Sequence, residues 1–161
     1  MHLQCSELLL DPRNLTLVRL LSASPRTWIA QLARSMGMSA PAVRERLLRL
    51  TEAGIIRGYH LELEPAALGY RVCAFVRVRP APGHLPRVIE LARSLPQVVE
   101  CHRVTGEDCL VLKVYLPSIN ELDEVLDRFL AHGQTTTSIV QSTPVAPRSL
   151  PLPQATLADV T

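Results

Sequence analysis

Aromatic side chains make up only 4% of the 161 residues, and lysine supplies one of the 17 basic groups, Lys113. With so few rings the strands lack the stacking pairs that read single-stranded RNA on a sheet, so an RNA-binding module ranks last among the readings. Long apolar runs are missing too. No stretch approaches the ~20 residues a membrane-spanning helix needs, and the N-terminal MHLQCSELLLDPR has neither a basic start nor a small-residue cleavage site. A soluble, cytoplasmic protein with no membrane partner is expected. Cys5, Cys73, Cys101 and Cys109 form no C-x-x-C pair, and the last three sit in strand-like apolar runs, where a reduced cysteine serves as a small hydrophobe. The histidines His2, His60, His84, His102 and His132 show no metal-ligand spacing with one another or with cysteine. There is no phosphate-binding glycine loop, and no nucleophile stands beside a local base. Neither a metal, a cofactor nor a catalytic residue is therefore expected.

What is present is a globular balance, 47% hydrophobic and 20% charged, in a chain long enough for one ordinary domain or two small ones. The net charge of +2 is unevenly spread. Residues 1–63 carry eight arginines against five acids (+3), and residues 64–161 nine bases against ten acids (−1). The basic end is the front, and a surplus of three matters for nucleic acid only if it clusters on one surface or is duplicated in a dimer.

Three helices account for the front. Asp11 and Pro12 open the first, which brings Asn14, Leu17, Val18 and Leu21 onto one face. The second places Ile29, Leu32, Ala33 and Met36 at i, i+3, i+4 and i+7, with Thr27 as N-cap and Gly37 as left-handed stop. The third starts at Ser39, takes Pro41 in its first turn, buries Val43, Leu47 and Leu50, and ends near Gly54. GIIRGYHLELEP then alternates as a short extended segment, and residues 64–69 look like a linker.

Beyond it, YRVCAFVRV, VVECHRV, CLVLKVYL and TSIVQS read as strands, with TGED as the turn between the middle two. Leu85, Val88, Ile89 and Ala92 mark one helix, and a capping box of Ser118 and Glu121 precedes another that carries Leu122, Val125, Leu126 and Phe129. The order is βαββαβ, a ferredoxin-like unit, so the fold class is α+β: a helix-turn-helix (winged-helix-like) domain over 8–63 and a ferredoxin-like domain over 70–145. Residues 146–161 form a proline-rich tail without helical period. The strands carry apolar residues on both faces, Val72, Ala74 and Val76 opposite Cys73 and Phe75 in the first. Two helices cover only one face, so a partner subunit is the economical cover for the second.

Ala33, Gly37 and Val43 have the spacing of a helix-turn-helix, in which a small residue permits a close crossing and an apolar one closes the core. The third helix then begins on Ser39, Ala40, Pro41 and Ala42, small enough for its N-terminus to enter a major groove. Its buried stripe leaves Pro41, Glu45 and Arg49 pointing away and Arg44 and Arg46 on the flanks, while Leu48 lies on neither stripe. Arginines so placed can fork onto guanine edges or phosphates of double-stranded DNA.

The run LARSMGMSAPAVRERLLRLTEAGIIRGYHLELEPAALGY resembles the DNA-binding half of the Lrp/AsnC (leucine-responsive, feast/famine) regulators. VVECHRVTGEDCLVLKV and GQTTTSIV resemble their effector-binding half, and the resemblance spans most of residues 8–145. It implies a transcription regulator that dimerises through its ferredoxin-like domain, often assembles four dimers into an octamer, and responds to a small effector, commonly an amino acid. By this likeness Ser39 to Arg49 is the recognition helix, with Arg44, Glu45 and Arg49 as base-edge candidates and Arg46 nearer the DNA backbone. The effector loop falls on Thr105, Gly106, Glu107 and Asp108, with Gln134, Thr135, Thr136, Thr137 and Ser138 as a second wall. Glu45 departs from the basic residue many relatives carry, and Cys109 and Leu110 stand where many have an aspartate and an aromatic. The rival on the same architecture is an enzyme resembling the sirohaem decarboxylases, which bind a tetrapyrrole and have no need of an arginine-bearing recognition helix.

Overall fold

Asp11 opens the first helix for the reason its pairing with Pro12 suggests. Its carboxylate accepts the Asn14 amide at 2.6 Å, while proline occupies a first-turn position whose N–H would have no helical acceptor. The computed structural model describes residues 11–153; residues 8–10 of the expected first domain, 154–161 of the expected tail, and His2 and Cys5 lie outside the described residues. Helix α1 (Pro12–Ala23) buries Asn14, Leu15, Leu17 and Leu21.

Helix α2 (Ile29–Met36) begins differently from expectation. The Thr27 hydroxyl donates to the Ser24 carbonyl at 2.8 Å instead of capping, which leaves Trp28 at the cap position with no side-chain bond. Its end is the expected one: Gly37 adopts φ 61°, and the Met38 amide reaches back to the Ala33 carbonyl at 2.9 Å. Helix α3 (Ala40–Glu52) starts on Ser39, whose hydroxyl accepts the Ala42 amide at 3.4 Å. Leu17, Leu21, Leu32, Ala33, Val43 and Leu50 form one core, so the small Ala33 and the fully buried Val43 are both buried in it, in keeping with the helix-turn-helix spacing. From Gly58 to Glu64 the chain forms no strand, and Tyr59, Leu61 and Leu63 are exposed. Alternation there had no sheet to join.

The second unit begins at Glu62 and extends to Ala146, while residues 147–153 cluster with the first. Within the expected linker, Ala66–Leu68 make a turn of 3-10 helix closed by Gly69. Strand β1 (Val72–Pro80), helix α4 (Leu85–Ser94), strands β2 (Val98–Arg103) and β3 (Leu110–Leu116), helix α5 (Ile119–Leu130) and strand β4 (Gly133–Ile139) follow. The sheet is antiparallel in the order β2-β3-β1-β4, the ferredoxin-like arrangement. One face packs Ala74, Val76, Val78, Leu110, Leu112, Val114 and Leu116 against Val88, Ala92, Leu122, Val125 and Phe129. The anticipated capping box does not close: Ser118 stands at the cap position, but its hydroxyl donates to the Glu121 carboxylate at 3.3 Å and makes no bond to the helix backbone.

The opposite sheet face is mixed where apolar was expected. Cys73 lies across from Tyr115, Phe75 from Lys113 and Ser138, and Arg77 from Val111 and Thr136. Lys113 donates to Glu100 at 3.3 Å and stands 5.5 Å from the Tyr115 ring centre. A hydrogen bond with His102 and the Lys113 contact together hold Glu100 below its ordinary carboxylate range against the effect of burial. Phe75 remains exposed on this face, with half-buried Cys73, Val111 and Tyr115 beside it, so apolar area does persist between the charges. Cys101, read as a reduced small hydrophobe of its strand, is exposed, because β2 is an edge strand.

Candidate functional site

On α3 the residue types sort by direction. Ser39 and Pro41 are exposed and Ala40 and Ala42 half-buried, so the N-terminal turn presents little bulk. Arg44 is exposed and has no ion-pair partner among the described residues, while exposed Arg49 and Glu45 pair with each other one turn apart. Arg46 is turned inward. Its guanidinium donates to the Asp11 carboxylate at 2.7 Å and to the Asn14 side-chain oxygen at 2.9 Å, tying α3 to the start of α1. Burial alone would raise the Asp11 pKa, but the bonds from Arg46 and from the Asn14 amide, with the Arg46 charge, hold it below its usual value. Residues 11 and 46 are 35 apart, and no local pattern announces their pairing. Leu48, which matched neither stripe, is 56% exposed and belongs to the outward face.

In the second unit the TGED hairpin, the end of β1 and the start of β4 share one end of the sheet. The Val104 amide donates to the Cys109 carbonyl at 2.9 Å and closes the hairpin. Thr105, Gly106 and Glu107 are exposed and Asp108 half-buried, with Gly106 at φ 113°. Arg79, absent from the expected site, organises this end. It pairs with Glu107 through Nη2 and with Asp108 through Nε at 3.4 Å, and it stands in register with Gln134 on β4. Arginines at alternate positions in VRVRP were visible, but only the strand order shows which loop they face.

Residues 134–138 do not form one wall. They are part of β4, which starts at Gly133, four residues before the expected TSIVQS strand. Gln134, Thr136 and Ser138 are exposed, on the face of Arg79 and Phe75, whereas half-buried Thr135 and Thr137 stand in register with the buried Val78 and Val76. Two histidines read as scattered also meet, the Nδ1 atoms of His84 and His132 lying 3.2 Å apart between the start of α4 and the end of α5. No group of three or more metal-ligating side chains occurs among the described residues.

Residues 10–57 match the winged helix-turn-helix DNA-binding model, and residues 73–150 match the Lrp/AsnC ligand binding domain. The chain is 33% identical over 140 residues to the transcriptional regulator LrpA of Mycobacterium tuberculosis, covering 83% of this chain and 91% of that protein. An uncharacterised regulator of Bacillus subtilis, YezC, is 32% identical over 133 residues, with 83% and 94% covered. The chain belongs to the Lrp/AsnC family. Among solved structures, Bacillus subtilis LrpC superposes with a TM-score of 0.80 at 27% identity, covering 86% of this chain and 99% of that one. A feast or famine regulatory protein from M. tuberculosis complexed with L-methionine gives 0.81 at 30% identity, covering 88% and 98%. Like its Lrp/AsnC relatives, the protein is a DNA-binding transcriptional regulator, not an enzyme of the sirohaem-decarboxylase kind. No helix among the described residues is long and apolar enough to cross a membrane.

Proposed function

We propose that this protein is a dimeric or higher-order regulator that binds a sequence-specific double-stranded operator in the cytoplasm and is modulated by an amino acid or related zwitterion. The observation that carries the DNA reading is α3 itself: a capped helix with a small-residue start, exposed Arg44 with no ion-pair partner among the described residues, and Arg49 and Glu45 further along the outward face. Arg44, Glu45 and Arg49 are the base-edge candidates, and exposed Ser39 with the backbone of Ala40, Pro41 and Ala42 sits closest to the phosphates. Arg46 acts first through its bonds to Asp11 and Asn14. A second subunit would cover Phe75 and the half-buried Cys73, Val111 and Tyr115 on the same face, and pairing two helix-turn-helix units yields half-sites about 10 bp apart or a multiple of that.

The effector reading rests on Arg79 between two acids beside the open Gly106 backbone. Such an arrangement has a cation for a ligand carboxylate and acids for its ammonium group, and structures of two relatives are complexes with L-methionine. Thr105, Gln134, Thr136 and Ser138 supply further polar groups near the same end. Two measurements test the whole. Selection of bound genomic fragments with and without each amino acid should return a pseudo-palindromic site whose occupancy responds to one of them. A melting screen of the twenty amino acids should find a ligand that stabilises the native state by about 2.7 kcal/mol at 100 times its dissociation constant. Unselective DNA binding would overturn the first part, and no melting shift with any compound would overturn the second.

A further inference from the structure

Among the described residues Leu48 joins no hydrophobic core. It is 56% exposed, outside the core that Val43, Leu47 and Leu50 join, and the outward side of α3 holds it among charged residues. At 100° per residue it falls about 40° from Arg44, about 60° from Glu45 and about 100° from Arg49, inside the arc bounded by Arg44 and Arg49 and nearer Arg44. An isolated exposed leucine is ordinary, but one lying between outward Arg44 and Glu45, with Arg49 beyond, on a helix that faces DNA has a definite consequence. When those arginines approach phosphates or guanine edges, the side chain between them is pressed against the groove floor. A leucine there has no hydrogen bond to offer. The apolar group that a major groove presents is the C5-methyl of thymine.

We infer that Leu48 is a specificity-determining residue that reads a thymine methyl group in each half-site. The inference rests on the reading of α3 as the helix that enters the major groove. Contact between the leucine methyls and the thymine methyl removes apolar area from water on both sides, whereas cytosine offers an amino group at the neighbouring edge position that leucine cannot satisfy. The preference is therefore for a base that no arginine or glutamate of α3 selects.

Deoxyuridine differs from thymine only in lacking this methyl, so the test exchanges thymines of the selected operator for deoxyuridine one at a time. With the full-length protein, one symmetric pair of exchanges should weaken binding by about fourfold per half-site, the value of burying roughly one methyl. Leu48→Ala should bind the thymine operator more weakly and be indifferent to that same exchange, while other positions behave as in the wild type. Circular dichroism of Leu48→Ala should match the wild type, since the residue packs against no core. Wild-type indifference to every exchange, or sensitivity that survives in Leu48→Ala, overturns the inference while leaving sequence-selective DNA binding standing. A change of oligomeric state in Leu48→Ala, read by light scattering, would instead show that Leu48 meets a second copy of the chain and would overturn it equally. If the wild-type protein selects no sequence at all, the reading of α3 falls and this inference with it.

Discussion

Arg46→Ala separates two roles that one arginine on a recognition helix can have. In this structure its guanidinium is spent inside the protein, on a carboxylate whose side chain is 38% exposed and on the oxygen of Asn14, which is 5% exposed. The ion pair is screened by solvent and contributes under about 1 kcal/mol. A hydrogen bond from a charged donor to a buried amide oxygen contributes about 1.5–3 kcal/mol. Removing both should cost the N-terminal unit roughly 2 kcal/mol, seen in urea unfolding followed by circular dichroism. The acid limb changes as well. Because the folded-state pKa of Asp11 lies below its ordinary 3.8, its stabilisation is complete above that value and is lost as pH falls through the folded one. In Arg46→Ala that loss should shrink, since the principal partner that lowers the pKa is gone. DNA binding, measured where both proteins are folded, should keep its salt dependence. Unchanged stability together with a salt slope reduced by about one would show that Arg46 contacts a phosphate and that the tie to Asp11 is incidental.

Four further outcomes follow from the same structure. Gly133→Ala would place a methyl carbon 2.2 Å from the Arg79 carbonyl oxygen and 2.8 Å from Pro80 Cα, so the start of β4 must move and thermal unfolding should show a loss of about 2–4 kcal/mol; a loss under about 0.5 kcal/mol would mean the strand end gives freely. Gly106→Ala meets nothing within 4 Å but must hold φ 113°, so it should disturb the hairpin and abolish any amino-acid melting shift while leaving the sheet's far-UV spectrum unchanged; a surviving shift would make the loop only a turn. Arg79→Ala should change the unliganded melting temperature little, because its ion pairs are exposed, yet remove the ligand shift, and Arg79→Lys should not restore it, since only the guanidinium fork spans both acids. Light scattering at micromolar concentration should return a dimer or a multiple of it, and a monomer would leave Phe75 on the open sheet face without a cover.

Local chemistry was enough for much of the fold. Asp11-Pro12, Gly37 and Ser39 act at the helix ends where their side chains or missing side chains demand it, and Ala33, Gly37 and Val43 placed the helix-turn-helix, because these signals operate within a few residues. The βαββαβ order was equally legible from period and turn chemistry. Caps were decided by local geometry that sequence does not rank: α2 starts one residue later than expected, with Trp28 at the cap position and the Thr27 hydroxyl donating back to the Ser24 carbonyl, and the Ser118 hydroxyl donates to Glu121 without meeting the backbone. Alternation at residues 58–64 signalled an extended chain, but a strand needs a neighbour, and none of the described residues supplies one.

The site divides along the same line. Thr105 to Asp108 and Gln134 to Ser138 were recognisable as segments, and only the order β2-β3-β1-β4 put Arg79 between them and turned alternate threonines of β4 inward. On α3, helical periodicity determined which residues could face out. Whether an outward or flanking arginine is available depends on what lies opposite in space: Arg44 meets no acid among the described residues, Arg46 meets one 35 residues away, and Leu48 meets no core. Short-range chemistry and periodicity are properties of the chain, whereas a partner brought from a distant segment exists only once packing has fixed where both segments lie.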